Sequence, residues 1–257
     1  LMATPLVAGY FLGRVWRSGH DLKPGWRHRL AWLSGQEASE VGLMGLAVVP
    51  MALALILSMS RSGMTGLAVA LLVLVWMAVR GRAVGAGRRR FGAVFLVFAG
   101  LAALTWAGLD RVAARFSASE PGSFGGRLPI WLDVAEVATD FRLTGSGLDS
   151  LGTVMAVYQH GYEGGVIREA HNDYLHLFAE GGLLVSIPAG IALLCLVWTI
   201  WRRFRAVEPG STDYWVRVGA VTGLLAIAVQ SMSDFSLQMP GNAALCAVLM
   251  ALSVRHA

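Results

Sequence analysis

Hydrophobic residues in this chain gather into long runs without charge, and the charged residues lie in the segments between them. A helix needs about 20 apolar residues to cross the ~30 Å hydrocarbon core of a bilayer, so each long run predicts a transmembrane helix. Six runs are long enough, at residues 41–60, 62–79, 91–109, 181–201, 218–233 and 235–254. The pattern predicts an all-α, polytopic integral membrane protein that forms a single membrane domain over residues 1–257.

The composition agrees with a membrane protein. Hydrophobic residues make up 56% of the chain and charged residues only 14%, whereas about a quarter of a soluble domain is charged. A seventh apolar run, at residues 1–13, is short and lacks the charged leader and small-residue cleavage site of a signal peptide. We therefore expect the chain to be the C-terminal fragment of a larger polytopic protein whose earlier helices are missing.

Positive charges concentrate in alternate loops. If segments 14–40, 80–90, 202–217 and 255–257 share one side of the membrane, that side carries fifteen Lys and Arg residues against five acids. The other side then carries six arginines against eleven acids. The positive-inside rule assigns the first side to the cytoplasm. Because topology accounts for the net charge of +5, nucleic-acid binding is not expected.

Three features are then placed on the external side: a short turn at residues 60–62, the long loop 110–173, and Asp234. Only the long loop is large enough to build a site, so we expect the site there. Cys195 and Cys246 both fall inside predicted spans, which leaves no disulfide framework or cysteine metal site.

The clearest element of the long external loop is the sequence "GGRLPIWLDVAEVATDF". Pro129 suits the first turn of a helix. Apolar residues then recur at helical spacing, at Ile130, Trp131, Val134, Val137, Ala138 and Phe141, and three acids fall on the opposite face, at Asp133, Glu136 and Asp140. This pattern predicts an amphipathic helix that lies on the membrane surface or packs over the spans.

Arg127 lies just ahead of that helix. A helix N-terminus presents unpaired N–H groups and a positive dipole end, and Gly125 and Gly126 allow a ligand to approach the backbone. The guanidinium of Arg127 adds a planar fork of donors. The helix N-terminus, the two glycines and this guanidinium together predict an anion site. The alternative is that Arg127 only pairs with a nearby acid such as Glu120.

Titratable residues also collect in "REAHNDYLHLFAEGG", residues 168–182, just before an apolar run. If Asn172 or Asp173 caps the helix that continues into the span, His171 lies at the mouth of that helix, next to Arg168. If the helix extends back over His171, one face carries His171, Tyr174, Leu175 and Phe178, and another carries Asp173, His176 and Glu180.

Two histidines five residues apart lie about 140° from each other around a helix. His171 and His176 are therefore poorly placed as paired ligands, and a metal site built from His160, His171 and His176 is disfavoured. The alternative for each histidine is a packed or solvated structural role.

Arg61 is unusual because it separates two apolar runs, in "SMSRSGMTG", on the side where positive charge is sparse. A charge at that depth is costly unless it is paired or hydrated. Either its side chain reaches toward water, or it faces an anionic group at the membrane surface.

Five motifs in series resemble those of the O-antigen ligase and polymerase family of bacterial envelope glycosyltransferases. They are "SRSG", "GGRLPIW", "TGSGLDSLG", "HNDYLHLFAEGGLL" and "DFSLQMPGNAAL", and they cover nearly the whole chain. One departure is "FRLTGSG", where the family usually has a proline shortly before the GxG.

The resemblance implies roles for individual residues. Arg61 matches the family arginine that begins a motif-bearing span, Arg127 the arginine before the tryptophan, and His171 the histidine of the HNxYL motif. The resemblance implies that these three residues are catalytic. Four neighbours are expected to bind substrate, namely Arg168, Asn172, Tyr174 and Gly126.

The resemblance further implies a multi-pass inner-membrane enzyme, and of the activities in the family we expect that of a ligase. Such an enzyme moves a glycan from an undecaprenyl-diphosphate carrier to an acceptor hydroxyl on the periplasmic face, by an inverting reaction without a metal, cofactor or nucleotide sugar. The expected partners are the lipid-linked donor, a lipid A-core or growing glycan acceptor, and membrane lipids. Three alternatives remain: a polymerase of the same family, a membrane transporter and a non-catalytic scaffold.

Overall fold

The computed structural model describes residues 1–20, 34–80, 127–160, 165, 167–209 and 211–255. The regular structure of these residues is helical, and we number the described α-helices in chain order. They are α1 Ala3–His20, α2 Gln36–Leu57, α3 Arg61–Arg80, α4 Leu128–Asp140, α5 Leu151–Tyr158, α6 Asp173–Ala206, α7 Thr212–Gln230 and α8 Pro240–Val254. A short 3-10 helix, Ser236–Gln238, precedes α8. The predicted span at 91–109 lies outside the described residues.

Four helices, α2, α3, α6 and α7, are long and apolar enough to cross a membrane, and α8 is a shorter apolar helix. This confirms the prediction of an all-α, polytopic membrane protein. The apolar run 218–233 gave the wrong bounds for α7. That helix starts earlier because Ser211 caps it, accepting a hydrogen bond of 3.1 Å from the backbone N–H of Tyr214.

Helix α7 lies at the centre of the described membrane helices and contacts α1, α3 and α8. Glycines allow the backbones to approach closely. A Cβ atom on Gly9 would lie 2.5 Å from the carbonyl oxygen of Trp215, and one on Gly219 would lie 2.7 Å from that of Pro5. Small residues at helix crossings increase van der Waals contact where lipid supplies no hydrophobic driving force between helices.

Several helix ends meet at one end of this bundle. Arg14 near the end of α1 pairs with Glu40 near the start of α2. Arg217 is buried, and its guanidinium donates to the carbonyl oxygens of Arg203 at 2.8 Å and Arg255 at 2.6 Å. These contacts bring together segments that the charge distribution assigns to one side of the membrane.

Helices α4 and α5 and the first turns of α6 form a second core. It contains the apolar face of α4, namely Ile130, Val134, Val137 and Ala138, together with Leu151, Met155, Ile167, Ala170 and Ala179. The predicted amphipathic helix therefore exists, and it packs against neighbouring helices of the same chain. Phe141, predicted on the apolar face, is exposed just after the helix end.

The expectation that Asp133 lies on the polar face of α4 is wrong. Asp133 is only 7% exposed, and its carboxylate accepts a hydrogen bond of 3.2 Å from the backbone N–H of His160. The chain that leaves α5 covers this side of α4, which the helical periodicity of α4 alone does not reveal.

Helix α6 is broken at Gly182, whose φ of 56° is left-handed. The loop 142–147 inserts at this break. The N–H groups of Leu183 and Leu184 donate to the carbonyls of Arg142 and Leu143, at 2.9 and 3.0 Å, in place of helical partners. The break separates the first turns of α6, which belong to the second core, from the apolar part that forms the span.

Candidate functional site

The start of α6 is fixed by Asn172. Its backbone is extended, and its side-chain oxygen accepts hydrogen bonds of 3.1 Å from the N–H groups of Tyr174 and Leu175. Of the two expected caps, Asn172 is therefore the one that forms. His171, which precedes the cap, lies at the mouth of the helix as predicted.

The backbone on the N-terminal side of His171 is held from two directions. The indole Nε1–H of Trp131 donates to the carbonyl of Ala170 at 3.0 Å, and the N–H of Ala170 faces Nδ1 of His176 at 3.4 Å. His171 itself has a φ of 51°. Such a conformation in a non-glycine residue costs of order 1–3 kcal/mol and persists only where its surroundings enforce it.

The His171 ring lies against Phe235, edge to face, with centroids 5.0 Å apart. Burial lowers the pKa of His171 below its ordinary value, the positive charge of Arg127 lowers it further, and the carboxylate of Asp234 opposes both effects. Its Nδ1 atom is buried and has no hydrogen-bond partner in the described structure. The ring is therefore neutral at pH 7 and able to accept a proton.

Arg127 lies at the N-cap position of α4, and its carbonyl accepts the N–H of Trp131 at 2.9 Å. The positive charge of Arg127 lowers the pKa of His171, so the guanidinium lies close enough to the His171 ring to act on it electrostatically. The structure thus brings together two of the three residues expected to be catalytic. Gly125, Gly126 and Glu120, which entered the anion-site prediction, lie outside the described residues.

Arg61 is the first residue of α3. The adjacent Ser62 donates a hydrogen bond of 2.8 Å to the carboxylate of Asp234, the same carboxylate that acts on the pKa of His171. The start of α3 is thereby tied to the loop that packs on His171. Arg61 lies beside this connection, and a direct role for its guanidinium stays a prediction.

The expected substrate-binding residues have different positions. Tyr174 is 48% exposed, and its hydroxyl donates to the carbonyl of Ala228 at 2.9 Å, which joins α6 to α7. Asn172 uses its side-chain oxygen as the helix cap. Arg168 is exposed and lines a cleft that does not include His171.

Sequence reasoning did not assign a function to a buried network next to His171. Glu180 is 7% exposed and accepts hydrogen bonds of 2.9 Å from the N–H groups of Asp149 and Leu151. It also lies 3.2 Å from Nε2 of His176. The carboxylate therefore holds the loop before α5 against the first turns of α6.

The tautomer of His176 follows from its partners. Nδ1 lies 3.0 Å from the side-chain amide nitrogen of Gln238 and faces the N–H of Ala170, so it acts as an acceptor. Nε2 then carries the proton and donates to Glu180. Both ring nitrogens are engaged by protein groups, which makes His176 unsuited to the metal-ligand alternative.

Asp173 joins this network to the segment before α8. Its carboxylate accepts hydrogen bonds from the hydroxyl of Ser231 at 2.7 Å and the N–H of Leu237 at 3.2 Å. One indication of this network was present in the sequence, since Asp173, His176 and Glu180 share one face of the predicted helix. Their partners in "DFSLQM" are some 60 residues away in the sequence, so spacing could not identify them.

Comparison with known proteins gives one result. A family model described as O-antigen ligase matches residues 46–189, more than half of the chain. The match includes Arg61, Arg127 and the segment from Arg168 to Glu180. No curated protein and no solved structure matches the chain. The family is one of membrane glycosyltransferases of the O-antigen ligase and polymerase type. The chain belongs to the O-antigen ligase family.

Proposed function

We propose that this protein transfers a glycan from an undecaprenyl-diphosphate carrier to an acceptor hydroxyl, as an O-antigen ligase. The observation that carries the proposal is the neutral, half-buried ring of His171, held at the mouth of α6 close to Arg127. A base beside a cation suits a reaction that removes a proton from one substrate and releases an anion from the other.

His171 acts as the general base. The acceptor oxygen attacks the anomeric carbon of the donor sugar while His171 takes the hydroxyl proton. The bond between that carbon and the carrier diphosphate breaks, and the bonding electrons leave with the diphosphate. One direct displacement inverts the anomeric configuration. A positioned base contributes typically ~10²–10⁴-fold to the rate.

Arg127 binds the diphosphate before and during its departure. A guanidinium presents parallel N–H donors that match phosphate oxygens, and such charge-assisted hydrogen bonds strengthen as negative charge develops. Arg61 acts with it from the start of α3, next to the Ser62–Asp234 hydrogen bond. Two arginines replace the metal ion that many diphosphate-releasing enzymes use.

The site faces the periplasm in this proposal. The end of the bundle with Arg14, Arg203, Arg217 and Arg255 is the cytoplasmic end by the positive-inside rule. The mouth of α6 lies at the other end of the span. The donor lipid then reaches the site from the outer leaflet of the inner membrane, where its acceptor is also exposed.

A ligase and a polymerase of this family share the donor chemistry and differ in the acceptor. The test is reconstitution of the full-length protein with undecaprenyl-diphosphate-linked glycan and a lipid A-core acceptor, followed by analysis of where the glycan is attached. Glycan on lipid A-core supports the ligase. A longer glycan still attached to the carrier contradicts it in favour of the polymerase. Solute flux without any glycan product contradicts both.

A further inference from the structure

A second polar cleft lies beside the segment that carries His171. Its volume is about 480 Å³, within the range of small-molecule sites. Its described lining is Asp149, Gly152, Thr153, Arg168, Glu169, His176, Glu180 and Gln238. Neither His171 nor Arg127 or Arg61 belongs to this lining, so the cleft is separate from the groups proposed for proton transfer and diphosphate binding.

Part of the lining is rigid. The Glu180 carboxylate and the His176 ring are held by hydrogen bonds within the protein, as is the Gln238 amide at 3.0 Å from the ring. These groups form an ordered polar surface and have little capacity left for new partners. They fix the shape of the cleft.

Other groups in the lining remain available to a ligand. Arg168 and Thr153 are exposed, and Arg168 makes no ion pair with the described residues. Glu169 also lines the cleft, and its side chain is 37% exposed although Oε2 is turned inward, 3.6 Å from Nδ1 of His176.

The chemistry of these groups matches hydroxyl groups. A hydroxyl donates once and accepts twice, so neighbouring hydroxyls are bound by a mixture of carboxylate acceptors and guanidinium or amide donors. The cleft offers carboxylates at Glu169 and Asp149, a guanidinium at Arg168 and a hydroxyl at Thr153. Its carboxyl groups outnumber its guanidinium three to one, which disfavours a phosphate or carboxylate ligand.

The cleft is also near enough to the base to hold a substrate during transfer. Arg168 and His171 are three residues apart, so their Cα atoms are separated by at most about 11 Å. When one sugar residue of a glycan reacts at His171, the adjacent sugar residue can therefore reach this cleft.

We infer that this cleft binds an uncharged sugar residue of a glycan substrate, adjacent to the residue that reacts at His171. The inference rests on the proposed function and specifies where the substrate glycan is held. The sugar comes from the donor glycan or from the acceptor, and the experiment below separates these sources.

The test is to block the cleft with a bulky side chain on α5 of the full-length protein. Thr153→Trp places an indole in the cleft from an exposed position, and Val157→Trp is the matched control because Val157 is 74% exposed on the same helix and outside the lining. Initial rates are measured with each substrate varied while the other is saturating. We expect Thr153→Trp to raise one KM at least tenfold with kcat within about twofold of wild type, and Val157→Trp to change neither.

The KM that rises identifies the source of the sugar: the donor KM for a donor residue, the acceptor KM for an acceptor residue. Glu169→Gln, which keeps the shape of the side chain, is expected to raise the same KM severalfold. If Thr153→Trp folds normally and leaves both KM values at the wild-type level, the inference is wrong.

A binding measurement separates this inference from the proposed function. The probe is the uncharged repeat-unit oligosaccharide released from its carrier, titrated into the purified full-length protein by calorimetry. Saturable binding that Thr153→Trp weakens tenfold and Val157→Trp does not supports the cleft even if no transfer from the lipid donor occurs. Binding that is absent, or equal in the three proteins, overturns the inference even if transfer is normal.

Discussion

The indole nitrogen of Trp131 donates a hydrogen bond of 3.0 Å to the carbonyl of Ala170. This bond joins the first turn of α4, which starts after Arg127, to the residue before His171. The backbone N–H of the same residue, Ala170, faces Nδ1 of His176 at 3.4 Å. The side chain of Trp131 thus positions His171, the proposed base, relative to Arg127, the residue proposed to bind the diphosphate.

Removing this bond is expected to affect the reaction more than the fold. In Trp131→Phe the ring still fills most of the space, but the donor is lost, and a typical hydrogen bond contributes about 1 kcal/mol. We expect kcat to fall by roughly five- to tenfold while both KM values change little. Steady-state kinetics on the full-length protein measure this. A fall in thermal stability with an unchanged kcat would show that Trp131 acts only in packing.

The pH dependence tests the electrostatic environment of His171. Its pKa is lowered by burial first and by Arg127 second, and raised by Asp234. The neutral base is present above the pKa, so kcat/KM is expected to rise with pH through a value below the ordinary ~6.5 and to be level by pH 7. Asp234→Asn removes the opposing carboxylate and should shift this rise to lower pH.

Arg127 is expected to have the opposite effect on the same profile. In Arg127→Gln one cause of the lowered pKa is lost, so the residual activity should rise at higher pH than in wild type. Arg127→Lys keeps the charge but loses the planar fork, so the rate should fall while the position of the rise is retained. Near-normal activity in Arg127→Lys would argue against bidentate diphosphate binding.

Glu180 is predicted to support the fold. Glu180→Gln keeps the shape but turns an amide N–H₂ toward backbone donors at Asp149 or Leu151. The amide N–H₂ and the backbone N–H that it faces are both donors, so neither has an acceptor. This should reduce the free energy of unfolding by about 1–3 kcal/mol. Thermal unfolding in detergent measures the loss, with Glu136→Gln on the exposed face of α4 as the control. Equal stability of the two variants would contradict the structural role of Glu180.

Two substitutions of Asn172 distinguish a role as helix cap from a role in substrate binding. Asn172→Asp retains an acceptor for the N–H groups of Tyr174 and Leu175, whereas Asn172→Ala removes it at a cost of about 1 kcal/mol. If Asn172 serves only as a cap, Asp should preserve both the melting temperature and kcat/KM. A stable Asn172→Asp variant with severalfold lower kcat/KM would instead support the predicted contact between the amide and substrate.

The features that could be predicted from the sequence are the local ones. Charge-free runs of sufficient length indicate membrane helices because a bilayer imposes the length. The Asn172 cap depends on residues two and three positions away, and the apolar face of α4 depends on helical periodicity. Each of these is determined by neighbours in the sequence.

The features that were missed depend on distant segments. The break at Gly182 needs the loop 142–147 to supply carbonyls for Leu183 and Leu184. Arg217 was expected in a loop, yet it lies buried in α7 because carbonyls of Arg203 and Arg255 accept its N–H groups. The cleft beside Arg168 forms where three separate segments meet, so no single motif could indicate it.

The most direct test of the account is the activity of a variant that lacks the base and keeps the backbone of residue 171. Asparagine suits this position because it adopts left-handed backbone conformations more readily than most residues, and its amide cannot take a proton at neutral pH. In His171→Asn, we predict a melting temperature close to wild type and a loss of glycan transfer of at least about 100-fold. Transfer within severalfold of wild type would contradict the assignment of His171 as the general base.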